Sequence, residues 1–283
     1  MRIAIVGAGT VGTAVAVRWR RAGHTITAVA GRDATRPRAA RWLPDVPVVP
    51  LADASASADL VVLGVPDDAL SEVAASLAGR IDEASTVLHL SGAQGLDVLE
   101  PVERAGGRVL ALHPLQTFAD VEGAIDALPG AAIAVTARDD EGSALGDGLA
   151  RDLGGRPFPL ADENRPLYHA AAVFASNYLV TVSGAALELF TAAGVPDAAA
   201  AMHPLQTATL DNIERLGPQQ ALTGPAVRGD AGTIDRNLGA VHAAAPALVP
   251  SYVTLCRAAM DVAGARLPDD RRSAVEEVLA RWS

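Results

Sequence analysis

The first 160 residues alternate short apolar runs with segments of helical spacing, and no other feature constrains the fold as strongly. The apolar runs are Arg2–Val6, Thr25–Ala30, Leu60–Val65, Thr86–Leu90, Val109–Leu112 and Ala132–Thr136. Helical patterns separate them, for example at Val11–Ala22, Ala69–Leu77 and Gly142–Leu153. Continuous apolar strands separated by helices are typical of a parallel sheet covered on both faces. We therefore predict an α/β fold for residues 1–160, with a doubly wound, mostly parallel sheet.

The rest of the chain, residues 161–283, reads as an all-α domain that follows a Pro- and charge-rich hinge at 156–165. It opens with the nearly all-apolar stretch Leu167–Ala193, and helical patterns follow at 197–216, 231–244, 247–264 and 269–282. A helix as apolar as the first of these must be covered nearly all round. We predict that a second copy supplies part of that cover, in a homodimer formed through the helical domain.

Charge and composition exclude several classes of function. The chain has 33 acidic against 23 basic residues and a net charge of -10, which argues against a nucleic-acid partner. No apolar run approaches 18 residues, a strand-like segment begins at Met1–Arg2 and the single cysteine is Cys256. We expect a cytoplasmic protein with no signal peptide and no membrane partner. All 23 basic residues are arginine, which excludes a lysine general acid or Schiff base.

A glycine fingerprint marks a nucleotide site. Gly7, Gly9 and Gly12, with Thr10 and Val11 between them, follow a strand and open a helix. The glycines serve the tight turn, the close approach of a pyrophosphate and the packing of helix on strand, while the helix N-terminus faces the phosphates. This context predicts a bound dinucleotide.

The residues after the second strand favour NADP over NAD. An NAD-binding protein usually has an acidic residue there for the ribose, whereas this chain has Gly31-Arg32-Asp33. Arg32 could pair with a 2′-phosphate, and Arg36 and Arg38 add positive charge nearby. Arg32 could instead be a solvated loop cation. NAD remains an alternative, because the carboxylate of Asp33 could bind the ribose.

Loops at the ends of later strands extend the predicted cofactor site. Val65 and Pro66 end one strand, and we expect them to line the nicotinamide side of the crevice. Asp67 and Asp68 are interpreted as caps of the next helix. Ser91 and Gly92 follow another strand and are placed in the same site, whereas His89 is expected to face a neighbouring layer.

Three groups of polar residues are candidates for the reacting centre. His113 and Gln116 follow a strand, where a histidine can act as an acid or a polarising group, or simply cap a loop. His169 and Ser176 share a stripe of the apolar helix with Val173 and Val180, and Asn177 lies about 80° from His169. Buried polar groups of this kind are costly unless they are paired or used, so an interhelical hydrogen bond is the alternative.

Arg228 is the third candidate. It lies in the turn-rich segment 222–230 and is suited to binding a substrate carboxylate, with an ion pair to Asp230 as the alternative. The pentapeptide at 113–117 recurs at 203–207 inside a helical pattern, and we interpret the second copy as coincidence. No metal site is predicted.

Four motifs together resemble one family. They are the fingerprint at 7–12, His-Pro-Leu-Gln-Thr-Phe at 113–118, Tyr-His-Ala-Ala-Ala-Val-Phe-Ala-Ser-Asn at 168–177 and Gly-Pro-x-x-Arg-Gly-Asp at 224–230. The chain resembles bacterial Rossmann-like proteins with a C-terminal helical domain of unknown function, within the 6-phosphogluconate-dehydrogenase-like superfamily. This group includes an alternative type of ketopantoate reductase that uses NADPH in pantothenate biosynthesis.

The resemblance also implies site residues. Better-known ketopantoate reductases carry Lys-x3-Asn-x3-Asn on the first long helix of the second domain. In this chain His169 occupies the lysine position and Asn177 the second asparagine position, whereas Val173 departs from the pattern. The resemblance therefore implies catalytic roles for His169 and Asn177.

The function that we expect is an NADPH-dependent reductase of a small 2-oxo acid, with ketopantoate as the leading substrate. His169 would donate a proton or hydrogen bond, Asn177 would orient the substrate, and Arg228 would hold its carboxylate. His113, Gln116 and Ser176 complete the predicted pocket. Two alternatives stay open: an enzyme acting on a cyclic imine or a prephenate-like acid, and a non-catalytic NADP-binding sensor.

Overall fold

The structure is a computed structural model that describes residues 1–56, 58–81 and 85–283. The chain divides into two compact units, a first unit of Met1–Ser176 and a second unit of Asn177–Ser283. This division lies later than the boundary expected after residue 160. The reason is local: Asp162 and Arg165 both hydrogen-bond to the loop that follows the fifth strand of the first unit.

The first unit contains one sheet, with eight strands in its described residues. They are β1 (Arg2–Val6), β2 (Thr25–Ala30), β3 (Val48–Val49), β4 (Leu60–Leu63), β5 (Thr86–His89), β6 (Arg108–Pro114), β7 (Ala132–Ala137) and β8 (Arg156–Pro159). Their order in the sheet is β3-β2-β1-β4-β5-β6-β7-β8. Every pair is parallel except β6 with β7. The predicted doubly wound, mostly parallel sheet is confirmed.

Two of these strands were not expected from the sequence. β3 has only two residues, too few for an apolar pattern to show. β8 carries two prolines, which read as a hinge but are tolerated in a strand at the edge of a sheet. The expected hinge at 156–165 is therefore corrected: its first four residues pair with β7.

Helices cover both faces of the sheet. Residues alternate along β1, with Ile3 and Ile5 packed in one apolar core and Ala4 and Val6 in the other. The helices of this unit are α1 (Thr10–Arg21), α2 (Thr35–Trp42), α3 (Leu70–Ala78), α4 (Glu100–Arg104), α5 (Val121–Ala127), α6 (Asp140–Asp152) and α7 (Arg165–Val173). Side chains of α1, α5 and α6 fill the first core, and those of α3 and α4 fill the second.

The register of the parallel strands brings their carboxyl ends to one edge. Val6 of β1 lies beside Leu63 of β4, Leu63 lies beside His89 of β5, and His89 lies beside Ala111 of β6. The order in which the chain adds strands to the sheet reverses between β1 and β4, and ligands of such sheets bind at this switch point. The loops after β1, β4 and β5 therefore surround the expected crevice.

The second unit is helical throughout its regular structure. A π-helix, Phe174–Tyr178, follows α7 and leads into α8 (Leu179–Ala192). The others are α9 (Ala198–Leu216), α10 (Pro218–Ala221), α11 (Pro225–Arg228), α12 (Ala231–Ala244), α13 (Val249–Ala263) and α14 (Asp269–Arg281). Buried side chains of α11 to α14 form the core of this unit.

The helix that begins this unit is unusually exposed. α8 has no buried residue, and Val180 is 70% exposed. The helical run Asp162–Ala192 is long and apolar enough to cross a membrane by length and composition, with a mean hydropathy of 1.5 in its most apolar window. One such helix is weak evidence for a membrane protein, since helices of soluble proteins pass the same test. None of that window is buried within the chain, which leaves its apolar surface without cover.

Candidate active site

Backbone contacts between three glycines shape the nucleotide loop. Gly7 follows β1 with φ +89°, a conformation that favours glycine, and a Cβ there would lie 2.6 Å from the carbonyl carbon of Gly64. A Cβ on Gly12 would lie 2.4 Å from the Gly7 carbonyl oxygen, and one on Gly64 would lie 2.7 Å from that same oxygen. The loop after β4 thus contacts the fingerprint directly, so Gly64 is a part of the motif that the sequence analysis missed.

The N-terminus of α1 is open to an anion. Gly9 is the N-cap residue and offers no side chain, so the first amides of the helix, including those of Thr10 and Val11, have no side-chain cap. No acidic residue lies in the first turn, and the position of a Gly9 Cβ has no atom nearer than 4.0 Å. Free amides, the helix dipole and open space fit a pyrophosphate group.

The arginines after β2 differ in their surroundings. Arg32 is exposed; its carbonyl accepts from the amide of Thr35, but its guanidinium makes no hydrogen bond or ion pair within the described residues. Arg38 of α2 donates from Nη1 to the carbonyl of Ala8 at 2.7 Å, which links α2 to the glycine loop. A cleft of about 640 Å³ lies beside this link; Thr10, Arg38 and Arg41 line it together with Asp120 and Glu122, and Arg41 pairs with Glu122 at 3.9 Å. The positive charge expected for a 2′-phosphate is therefore present on two elements next to the loop.

The loop after β4 reaches the fingerprint through its first side chain. Val65 Cγ1 lies 2.7 Å from the position that a Gly7 Cβ would take, whereas Pro66 is exposed. Asp67 and Asp68 were expected to cap the following helix. They form the start of a 3-10 turn instead, and neither makes a capping hydrogen bond.

The loop after β5 is held by neutral hydrogen bonds. His89 is fully buried; its Nδ1 accepts from the amide of Ser91, and its Nε2 lies 3.2 Å from the carbonyl of Gly95. Burial, followed by the charge of Arg165, lowers the pKa of His89 to about 3. A neutral imidazole with a proton on Nε2 satisfies both bonds. The Ser91 hydroxyl accepts from the amides of Ala93 and Gln94, so it shapes this loop.

Arg165, the first residue of α7, joins this loop to β7. Its side chain is fully buried. Nε donates to the carbonyl of Gln94 at 2.5 Å, Nη1 to the hydroxyl of Thr136 at 2.9 Å, and Nη2 to the carbonyl of Ser91. In the described part of the chain, no carboxylate lies within ion-pair distance of this guanidinium. Burial lowers the pKa of Arg165 from its usual range.

Tyr168 and His113 form a hydrogen-bonded pair between α7 and β6. His113 Nδ1 lies 2.8 Å from the Tyr168 hydroxyl oxygen, with the rings edge to face. Burial raises the pKa of Tyr168 to about 12. Burial first, then the charges of Arg165 and His169, lower the pKa of His113 to about 4. Both groups are uncharged at neutral pH. His113 was expected just beyond its strand and is instead a residue of β6, opposite Ala134 of β7.

His169 and His113 converge on Gly92. A Cβ on Gly92 would lie 2.8 Å from His113 Nε2 and 2.9 Å from His169 Nδ1. His169 Nδ1 is buried and has no hydrogen-bond partner, the only such side-chain atom among the described residues that are not exposed. A buried polar atom without a partner calls for a ligand or a water molecule. We call Arg165, Tyr168, His169 and His113 the α7 cluster.

Other residues predicted for the site lie elsewhere or have local partners. Gln116 is exposed, and its amide oxygen accepts from the backbone amide of Thr117. Ser176 and Asn177 belong to the π-helix, which takes more residues per turn than an α-helix. The α-helical stripe expected for His169, Val173, Ser176 and Val180 is therefore interrupted after Val173.

Arg228 lies in the second unit, at the end of the short helix α11. Its side chain is exposed, and its carbonyl accepts from Arg271 Nη1. Asp230 accepts from the amide and hydroxyl of Thr233 at the start of α12, and it makes no ion pair with Arg228 within 4 Å, although after these hydrogen bonds the charge of Arg228 also contributes to its lowered pKa. Among the described residues, no three His, Cys, Asp or Glu side chains are placed to bind a metal ion.

The sequence analysis missed Arg165 and Tyr168. Their spacing carried a signal, since positions 165, 168 and 169 are neighbours on one face of a helix. The loop carbonyls that Arg165 binds are about 70 residues away in the sequence, and no local pattern could show them.

Comparisons with known proteins agree with this architecture. Residues 1–114 match a Rossmann-like domain, and residues 131–259 match a domain of unknown function, DUF2520. No curated protein matches the chain. The solved structure of a putative NADP oxidoreductase from Bacteroides fragilis is 25% identical with a TM-score of 0.81, covering 92% of this chain and 98% of that one.

Two further structures share the fold. Protein TM1727 from Thermotoga maritima is 22% identical with a TM-score of 0.70, and the match covers 93% of this chain and 98% of that one. A reductive aminase from Aspergillus terreus, solved with NADPH and ethyl levulinate, is 19% identical with a TM-score of 0.67 and 98% of both chains covered. The predicted fold is confirmed, and the two family matches agree with the predicted resemblance to Rossmann-like proteins that carry a C-terminal domain of unknown function.

Proposed function

We propose that this protein is an NADP-dependent reductase of a small 2-oxo acid, with ketopantoate as the leading substrate. The observation that carries the proposal is the convergence of His113 Nε2 and His169 Nδ1 on Gly92, in the loop after β5. This loop lies at the same edge of the sheet as the open N-terminus of α1. A reductase needs proton or hydrogen-bond donors beside the nicotinamide end of its cofactor.

The fit of the residues to NADP supports the cofactor. The glycine contacts and the uncapped helix suit a pyrophosphate, and Arg32 and Arg38 provide positive charge beside it. The similar protein from Bacteroides fragilis is named a putative NADP oxidoreductase. Gly7, Gly9, Thr10, Val11 and Gly12 would hold the pyrophosphate, Arg32 the 2′-phosphate, and Val65, Pro66, Ser91 and Gly92 the nicotinamide side. NADPH, when bound, supplies the reducing equivalents.

An anionic substrate fits the charges of the α7 cluster. Arg165 is a buried cation with no carboxylate within ion-pair distance in the described chain, although the charges of Asp162 and Asp67 act on it, and the neighbouring His113 is neutral. A carboxylate near this cluster would balance its charge. In our proposal, His169 donates a proton or hydrogen bond to the carbonyl oxygen and Asn177 orients the substrate. Arg228 binds the carboxylate, and His113, Gln116 and Ser176 complete the pocket.

The test is NADPH oxidation with and without added ketopantoate, followed at the nicotinamide absorbance. We expect turnover that depends on ketopantoate and a fall in kcat of about 10²-fold or more for His169→Ala. His24→Ala is the matched control, because His24 pairs with Asp152 at 2.8 Å, away from the α7 cluster. Full activity of His169→Ala would remove this imidazole from the reaction.

Reduction of a cyclic imine is the second candidate, because a similar structure is named a reductive aminase. The two candidates differ in the charge of the substrate. A panel of 2-oxo acids, cyclic imines and prephenate-like acids, run with NADPH and NADH, separates them. Tight NADPH binding without turnover on any member would favour a non-catalytic sensor.

We also propose that the protein is a cytoplasmic homodimer. The exposed apolar residues of α8 and α9, such as Val180 and Leu205, form a surface that water disfavours. A second copy presenting the same helices would cover it. Light scattering should give twice the monomer mass, and flotation with lipid vesicles should leave the protein unbound. A monomer that floats with vesicles would contradict both statements.

A further inference from the structure

Arg165 is a costly residue to bury in this way. Its guanidinium is fully buried, and its three hydrogen bonds go to two carbonyls and one hydroxyl rather than to a carboxylate. Removing a charge from water without an opposite charge beside it is unfavourable. The hydrogen bonds offset part of this cost, and a charge kept under such conditions suggests a functional use.

The position of Arg165 on α7 connects it to the reacting groups. Tyr168 and His169 follow it by three and four residues, so all three side chains share one face of the helix. That face meets the loop after β5 through Arg165 and the end of β6 through Tyr168. One helix therefore sets the position of both the buried charge and the ring that bonds His113.

The charged and titratable groups around His113 come from two neighbouring elements. Arg165, Tyr168 and His169 face it from α7, and His89 faces it from β5. Its partner strand β7 contributes the uncharged Thr136. Tyr168 is protonated, and Arg165 is the permanent charge in this group; it disfavours a positive charge on His113.

The hydrogen bond to Tyr168 then selects the tautomer of His113. A protonated Tyr168 hydroxyl donates to His113 Nδ1, so a neutral imidazole carries its proton on Nε2. His113 Nε2 points to Gly92, where a Cβ would lie only 2.8 Å away. The pair therefore presents an N–H donor at the loop after β5.

We infer that Arg165 is a positioning residue, which acts with Tyr168 to hold His113 as a neutral imidazole whose Nε2–H donates a hydrogen bond to the substrate carbonyl oxygen. This inference rests on the proposed reductase function for the identity of the acceptor. The protonation state and tautomer of His113 can be measured in the protein without substrate. A neutral imidazole can polarise a carbonyl without being consumed as an acid, as a histidine does in triosephosphate isomerase.

The direct test is nitrogen NMR of the histidine rings in the protein without substrate, with His113→Gln used to assign the His113 signals. We expect the pattern of a neutral ring protonated at Nε2 through neutral pH, with protonation only near pH 4. In Tyr168→Phe we expect Nδ1–H and Nε2–H forms to mix, because the donor to Nδ1 is gone. A wild-type ring protonated at Nδ1, or titrating near 6.5, would overturn the inference.

Substitutions of Arg165 separate its charge from its hydrogen bonds. In Arg165→Gln the His113 titration should move upward from about 4, although burial keeps it below the ordinary value of about 6.5. Arg165→Lys retains the charge and should keep the low titration. Thr136→Val removes one hydrogen bond of Arg165 and leaves its charge, so this variant should also keep the low titration of His113. An unchanged titration in folded Arg165→Gln would exclude the charge effect.

The NMR measurement tests the role of Arg165, and the activity measurement tests the proposed function, so either claim can fail while the other stands. If no substrate is turned over but His113 has the expected tautomer, the proposed function fails and the role of Arg165 in setting the ring stands. If ketopantoate is reduced, kcat should fall about tenfold or more in Tyr168→Phe with little change in KM. The pH profile of kcat in Arg165→Gln should then gain an ionisation that the wild type and Arg165→Lys lack. Should Arg165→Gln not fold, the wild-type tautomer and Tyr168→Phe still decide the inference.

Discussion

The glycine loop and the α7 cluster lie at the same edge of one sheet, but they are built in opposite ways. The loop brings backbone against backbone at Gly7, Gly12 and Gly64, and it works because side chains are absent. The α7 cluster works through side chains, with His113 and Tyr168 joined across 55 residues of sequence. The first is fixed by local sequence, and the second depends on the complete fold of the unit.

This difference should appear in how each part responds to an added methyl group. At Gly12 the atom that a new Cβ would meet is a backbone oxygen, which cannot move without moving β1 or α1. At Gly92 the atoms that it would meet are imidazole atoms, and a side chain can rotate away. We expect the first change to affect folding and cofactor binding, and the second to affect the reaction.

Gly12→Ala is expected to have the largest effect. Its Cβ would lie 2.4 Å from the Gly7 carbonyl oxygen, so the strand-to-helix turn must open. We expect the free energy of unfolding to fall by about 1–3 kcal/mol. We expect the NADPH dissociation constant to rise by roughly 100-fold, because shifting the helix N-terminus weakens at least two amide bonds to phosphate. Chemical denaturation and titration calorimetry measure the two effects.

The matched control is Gly148→Ala in α6. That glycine is also helical, and its Cβ would meet no atom within 4 Å. Alanine favours helix over glycine by up to about 1 kcal/mol, so stability should be unchanged or slightly higher. Equal loss of NADPH binding in both variants would contradict the role assigned to the Gly7–Gly12 contact.

The sequence was sufficient for the loop and for most of the sheet, for a physical reason. Six apolar runs and one fingerprint are local patterns, and each was found where it was expected. Gly64 was not recognised, because a single glycine after a strand shows its purpose only when Gly7 lies against it.

Arg165 illustrates what the sequence could not show. The sequence around it, with Pro157, Pro159 and several charges, predicts a hinge. In the structure, however, its guanidinium is buried under the loop after β5. The π-helix is another such case, since nothing in the residues Phe174–Tyr178 marks a change in helical spacing. The predicted alignment of His169 with Ser176 assumed an unbroken α-helix.

Gly92→Ala tests the side-chain half of the site. The added methyl group would press on both His113 and His169, whose rings can turn aside. We expect little change in stability and a fall in kcat of about 10- to 100-fold, because small displacements of catalytic groups are costly. Steady-state kinetics with the preferred substrate gives kcat, and NADPH titration should show a smaller change than kcat, since Gly92 is also assigned to the nicotinamide side. A loss of NADPH affinity without a loss of kcat would place Gly92 against the cofactor alone.

Arg32→Ala should have a smaller effect, confined to the choice of cofactor. The Arg32 side chain is exposed and has no partner among the described residues, so its removal should lower stability little. A charge-assisted bond to a 2′-phosphate contributes about 1.5–3 kcal/mol, so KM for NADPH should rise about tenfold or more while KM for NADH stays the same. Arg38→Ala is the comparison, since Arg38 also bonds Ala8 and should lower stability as well. Equal changes for both cofactors would contradict the assignment of Arg32 to the 2′-phosphate.

Acid should weaken the α7 cluster and its surroundings before it affects the glycine loop. Burial, followed by the charge of Arg165, holds the pKa of His89 at about 3 and contributes to the value of about 4 for His113. In the unfolded chain a histidine titrates near 6.5, so between these values the unfolded state binds more protons. The stabilisation is complete above pH 6.5 and is lost as the pH falls towards 4 and then 3.

Each of these two histidines should contribute a slope of up to about 1.4 kcal/mol per pH unit to the free energy of unfolding in that window. His89→Gln removes one titrating group, and glutamine can still accept from Ser91 and donate to Gly95. Urea unfolding at pH 7.5, 6.0 and 5.0 should therefore show a shallower loss of stability in His89→Gln than in the wild type. Because Gly148→Ala changes no titratable group and its Cβ meets no atom within 4 Å, this variant should keep the wild-type slope. Parallel curves for wild type and His89→Gln would mean that His89 titrates alike in the folded and unfolded states, which would contradict the neutral hydrogen-bond network that joins the loop after β5 to Arg165.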